Sequence, residues 1–295
     1  MPPSEARSGS IYDLGYRRYD GPRLGRQHAV MALYRYSLRG AFGIGRRTSS
    51  KIIPIVITVI AFLPAVVQLG VAAIVSDNVD VIRPENYFGF VEVPVALFCA
   101  AIAPEMAGRD MRQRTLSLYF SRALLRRDYA LAKLAAFTTA LMVLTLAPQA
   151  LLLVGNGLAT NDLRDYVSDN WEDLPRTVVS GVAIAAAMGA VAMAIAGQIS
   201  RRAYSTIAVA AWFLATWPIA GILVQEVGGA GRAAALLSPF DFVYGAAMWV
   251  FGVTPERDSV QDVAGIPLWG YGAAVAAYAA AGTAFVIRRF ERIAA

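Results

Sequence analysis

The chain has 295 residues, of which 57% are hydrophobic and 16% charged, with a mean hydropathy of +0.50 and a formal net charge of +6. A soluble domain carries about 25% charged residues, so the composition excludes an ordinary soluble protein and points to the membrane. A single cysteine (Cys99) and a single histidine (His28) exclude an intrachain disulfide framework and any Cys/His metal cluster supplied by this chain alone.

Residues 1–50 read as an N-terminal segment outside the membrane, and residues 51–295 as an all-α membrane domain. Met1–Ser10 reads as disordered, and Tyr12–Arg26 is rich in Gly, Tyr and Arg with a Gly-Pro turn signal. Gln27–Arg47 predicts a helix with Val30, Leu33, Tyr34, Leu38 and Phe42 on one side and Arg35, Arg39 and Arg46 elsewhere. A basic amphipathic helix ahead of a span is expected at the lipid interface. No signal peptide is visible, because the first apolar run begins only at Ile52 and is too long for an h-region.

Six runs are long and apolar enough to cross a bilayer: Ile52–Val75, Phe88–Met106, Tyr129–Val154, Val178–Ile199, Ala203–Val224 and Leu268–Ile287. Pro148 and Pro218 predict kinks in the third and fifth. Of the 27 Lys and Arg residues, 22 fall before the first span, between spans two and three, between four and five, or after the sixth. The positive-inside rule then places both termini in the cytoplasm, as expected of a multi-pass protein of a bacterial inner membrane. The basic balance follows from topology, so no nucleic-acid partner is expected.

The richest inner segment is Ala103–Lys133, with seven cations against Glu105, Asp110 and Asp128. Leu116, Tyr119, Phe120 and Ala123 recur at helical spacing, predicting a basic amphipathic helix with one apolar face. Between spans five and six, the apolar stretch Ala233–Phe251 is broken at Ser238-Pro239. About 12 residues follow the break, too few for a crossing, which predicts a re-entrant or interfacial helix pair on the outer side.

Polar groups inside the spans are few: Gln68, Glu92, Glu105 and Gln149 are the candidates for a pathway. Glu92 reads first as a hydrated interfacial acid. Gly181, Ala185, Gly189 and Gly197 form a small-residue stripe suited to close packing, within the chain or across a dimer. The two lysines, Lys51 and Lys133, do not follow glycine, so no phosphate-binding G-x-x-x-x-G-K-[ST] loop exists. G-x-S-x-G and H-E-x-x-H are also absent, and no catalytic chemistry is expected of this chain.

The order Glu105, Arg109-Asp110, Thr115-Leu116, Ser121-Arg122, Arg126, Tyr129 and Lys133 resembles the pattern that follows the second span in permeases of type-2 ATP-binding-cassette exporters. The chain departs at Arg114, where that family often has Gly, and at Ala123, where Pro is common. The N-terminal helix and the broken stretch at Ser238-Pro239-Phe240 resemble further parts of the same architecture. The resemblance implies a non-catalytic subunit that pairs with a second permease, identical or sister, and docks separate ATPase subunits. ATP and magnesium would then sit on those partners, with no cofactor on this chain. It implies a main coupling helix over Gly108–Leu125, with Leu116, Tyr119 and Phe120 filling a groove on the ATPase and Arg112, Arg122 and Arg126 pairing with its acids. A second contact would lie at Gln198–Tyr204, with Arg201 and Arg202. The apolar spans suggest an amphiphilic or apolar cargo. A membrane scaffold without transport and an ion-coupled carrier without an ATPase are the alternatives.

Overall fold

The computed structural model describes residues 21, 24–74, 84–121, 124–159, 164, 168 and 170–292. Ten α-helices are assigned among them: α1 (Arg26–Ala41), α2 (Ser49–Ile74), α3 (Pro84–Arg112), α4 (Leu116–Phe120), α5 (Arg126–Ala159), α6 (Asp173–Gln198), α7 (Arg202–Ile222), α8 (Pro239–Phe251), α9 (Val260–Ala264) and α10 (Leu268–Glu291). No strand occurs among the described residues. The chain is an all-α membrane protein. Six helices (α2, α3, α5, α6, α7 and α10) are long and apolar enough to span a bilayer. The expected disorder of Met1–Ser10 and most of Tyr12–Arg26 lie outside the described residues. So do the outer acids Asp77, Asp80, Asp162, Asp165 and Asp169.

All six expected spans are present, and several run longer than their apolar cores. α3 continues six residues past Met106 to Arg112, because its charged last turn finds partners within the protein. The predicted helix over Gln27–Arg47 stops at Ala41, and a turn through Gly43 (φ 70°) and Gly45 (φ 83°) leads into α2. Its predicted apolar side is real: Leu33 is buried, and Val30, Tyr34, Leu38 and Phe42 pack on the core. That side faces α5 and α3, and the Tyr34 hydroxyl donates to Thr139 Oγ1 at 2.9 Å.

The bundle is built around α3 and α6, whose apolar windows are 67% and 61% buried, against 22% for α7 and α10. Small residues bring the inner helices together. A Cβ at Gly282 of α10 would lie 2.7 Å from the Ala190 carbonyl carbon of α6, so the two backbones touch there. The stripe Gly181, Ala185, Gly189 and Gly197 is buried in the same chain, with Gly181 and Gly189 against α5 and Gly197 under Arg289. Within-chain packing therefore accounts for it. The Ser238-Pro239 break is a bend of 81° between a 3-10 helix (Gly229–Leu236) and α8. Ser238 caps α8, accepting from the Asp241 N–H at 3.4 Å, with Pro239 in the first turn.

Candidate functional site at the arginine-rich end of the bundle

One end of the bundle gathers the predicted inner segments. The chain leaves α3 through a left-handed cap: Arg114 has φ 54°, its N–H donates to Met111 O at 3.2 Å, and the Thr115 N–H donates to Asp110 O at 3.0 Å. That paired bonding is a Schellman cap, whose left-handed position favours glycine. It falls at the position where the resembling pattern has Gly. After it comes α4, only five residues long, so a single coupling helix over Gly108–Leu125 is replaced by a helix end, a turn and a short helix.

Under α4 lies a buried charged knot. The Lys133 ammonium lies 2.6 Å from Asp110 Oδ2, and the two side chains are only 6% and 8% exposed. The Tyr129 hydroxyl donates to the same oxygen at 2.5 Å, and Lys133 also donates to Met106 O at 3.0 Å. Two unpaired charges here would each carry a large desolvation cost; the shared oxygen and the added hydrogen bonds offset it. The knot joins the last turn of α3 to the first turns of α5. Tyr129 is also the ring on which the loop rests: Tyr119, Phe120 and Phe290 lie 5.5, 5.9 and 5.1 Å from it, centroid to centroid.

A second knot centres on Glu105, which pairs with Arg202 at 3.1 Å, Arg46 at 3.4 Å and Arg112 at 3.5 Å. These come from the start of α7, the turn before α2 and the end of α3. Burial lowers the pKa of Arg46, and nearby Arg109 adds to this against the opposing pull of Glu105. Arg26 of α1 grips Asp128 with two hydrogen bonds of 2.7 Å, which raise the arginine's pKa. Arg126 donates to Glu291 O at 2.9 Å, and Arg289 donates to Gly197 O at 2.9 Å. The helix ends gathered here are thereby tied to one another, and α1 and the end of α10 lie at the same end of the bundle.

The predicted coupling residues sort into layers. Leu116 is buried, and Tyr119 and Phe120 are half-buried on Tyr129. Arg112, Arg126 and Arg202 have partners within the chain, and Arg201 lies over the Tyr204 ring at 5.9 Å. Arg122 lies outside the described residues. On the two loop segments themselves, Leu118 (67%), Leu125 and Tyr204 are exposed apolar side chains, and Leu24 and Ile44 flanking α1 are exposed as well. Sequence reasoning counted Asp110 and Lys133 as loop charges and missed that they pair. The available signal was a lysine set directly between Ala132 and Leu134 in an apolar run.

The pathway candidates divide. Glu105 belongs to the arginine-rich end. Gln68 and Gln149 come together at the far end, lining one cavity. Glu92 is half-buried, and its Oε2 is buried with no hydrogen-bond partner. It neighbours Asp241, which is 4% exposed and also keeps one oxygen unpartnered. Tyr271, fully buried with its hydroxyl unpartnered, lies within electrostatic reach of Asp241. No group of three or more His, Cys, Asp or Glu among the described residues could hold a metal ion. In comparisons with known proteins, no family model matches the chain and no curated protein matches it.

Proposed function

We propose that the chain is the permease subunit of an ATP-driven exporter, working as a dimer in a bacterial inner membrane with separate ATPase subunits docked on its arginine-rich end. One observation carries the reading most: Asp110, Tyr129 and Lys133, scattered through the resembling motif, converge on one buried oxygen beneath a short exposed helix. A loop that passes force to the spans must be stiff and anchored, and this loop is braced by both knots. The left-handed turn at Arg114 adds support, since it occupies the motif's glycine position. The groove-filling surface is reassigned to Leu118 and Leu125 of the main loop and Tyr204 of the second contact, with Leu116, Tyr119 and Phe120 as its backing. Alternating access then follows from moving span bundles as the ATPase dimer closes.

Co-expression with an ATP-binding-cassette ATPase from the same genome tests the proposal: affinity capture of one should bring down the other. Leu118→Asp with Leu125→Asp should reduce capture at least about tenfold, as for loss of an interface hot spot, while leaving the melting temperature of the permease unchanged. Undiminished capture would overturn the docking face, and no capture by the unaltered protein would overturn the subunit reading. The buried, unpartnered oxygens Glu92 Oε2 and Asp241 Oδ2 favour a second reading, an ion-coupled carrier. That reading requires transport into proteoliposomes driven by a pH gradient without ATP.

A further inference from the structure

At the far end of the bundle, α2, α5 and α6 line a cavity of about 200 Å3. Its wall is mostly apolar, with Leu146 and Leu153 from α5 and Leu174 and Val178 from α6. Asn156, Asn170 and Thr177 add polar groups to the lining, and two deeply buried carboxamides interrupt the apolar wall, Gln68 from α2 and Gln149 from α5. They are 2% and 5% exposed, and each keeps its Oε1 without a hydrogen-bond partner. The orientation of Gln149 is fixed by chemistry: its Nε2 donates to Thr145 O at 3.2 Å, and the reverse orientation would set two acceptors against each other. The unmet atom is therefore an acceptor. A buried acceptor without a donor is costly, and Gln149 Oε1, with the buried carboxamide of Gln68 in the same wall, specifies what the cavity lacks. Asp173, also in the lining, is paired with Arg176 at 3.2 Å, so the occupant need not be a cation.

We infer that this cavity binds a neutral, mainly apolar group carrying a hydroxyl donor, of the size and class of a substituted phenol, with Gln68 and Gln149 accepting from it. The volume suits that class: an apolar cavity of about 150 Å3 accepts benzene, leaving room here for a ring and a substituent. A few placed polar groups in an apolar wall are how small-molecule sites set orientation. That the occupant is cargo rests on the permease reading; that the site binds does not.

The test uses the full chain in lipid nanodiscs, photolabelled with 4-azidophenol and competed with p-cresol or with toluene, which has the same skeleton without the hydroxyl. Labelling should be saturable and map to peptides of α5 and α6, and p-cresol should compete at least about tenfold better than toluene. Toluene partitions more strongly into lipid, so that preference cannot come from the bilayer. Gln68→Leu with Gln149→Leu should erase the preference while keeping competition by toluene. Ala150→Trp, an exposed rim position, should abolish labelling. Equal competition by the two compounds, or labelling that survives Ala150→Trp, overturns the inference. Should the double variant fail to fold, Gln68→Leu alone and Ala150→Trp give the same reading. No ATPase is present, so failure here leaves the permease proposal standing, and failed ATPase capture leaves this site standing.

Discussion

The two ends of the bundle treat buried carboxyl and carboxamide groups in opposite ways, while unpartnered hydroxyls occur at the arginine-rich end too, at Ser37 and Ser205. At the arginine-rich end the buried charges are matched: Asp110 has Lys133 and Tyr129, and the partly buried Glu105 has three arginines. At the far end Gln68, Glu92, Gln149 and Asp241 each keep a buried oxygen with no partner. Native proteins satisfy nearly all buried polar groups, so the exceptions mark places kept for something other than stability. One end is a braced frame, and the other holds the unspent chemistry.

The contrast can be broken most forcefully at the buried ion pair. Lys133→Met leaves Asp110 buried beside only a tyrosine hydroxyl and should cost about 3 kcal/mol, read as a fall in melting temperature of the detergent-purified protein. Combining it with Asp110→Asn should recover more than half of that loss; if the double variant is as unstable as the single, the pair is not coupled. Gly282→Val should cost about 2 kcal/mol by forcing α10 off Ala190, and should increase proteolysis of native protein. Glu105→Gln removes the hub of a partly exposed network and should cost about 1 kcal/mol, an effect that shrinks at high salt. Arg114→Gly should gain about 0.5 kcal/mol by relieving the left-handed strain, net of the chain entropy of glycine. At the far end the sign differs: Gln68→Leu should be neutral or stabilising, because it removes an acceptor that nothing satisfies.

Much of the fold is legible in the sequence because its signals are local. Each span is a continuous apolar run, and Ser238-Pro239 carries both a cap and a stop. The extension of α3 to Arg112 is not legible. Its last turn is charged, and only the partners of Asp110 on α5 and of Arg112 at Glu105 show that the helix can continue. The spacing of Leu116, Tyr119, Phe120 and Ala123 suggests a longer helix than the five residues of α4. What sets that length is the turn at Arg114 and the seat on Tyr129, which is thirteen residues beyond Leu116. Glu105, Gln68 and Gln149 stand out in sequence as polar residues in apolar runs. Which of them meet depends on helix packing, which hydropathy does not encode: Gln68 and Gln149 share a cavity, and Glu105 sits elsewhere.

The backbone contact between Gly282 and Ala190 sets the mechanics of the whole molecule. α6 and α10 meet there with nothing larger than the Ala190 methyl at the contact, and Arg289 pins the base of α10 to Gly197. Two rods touching at one height and stapled at another cannot slide past each other, so α6 and α10 act as one mast.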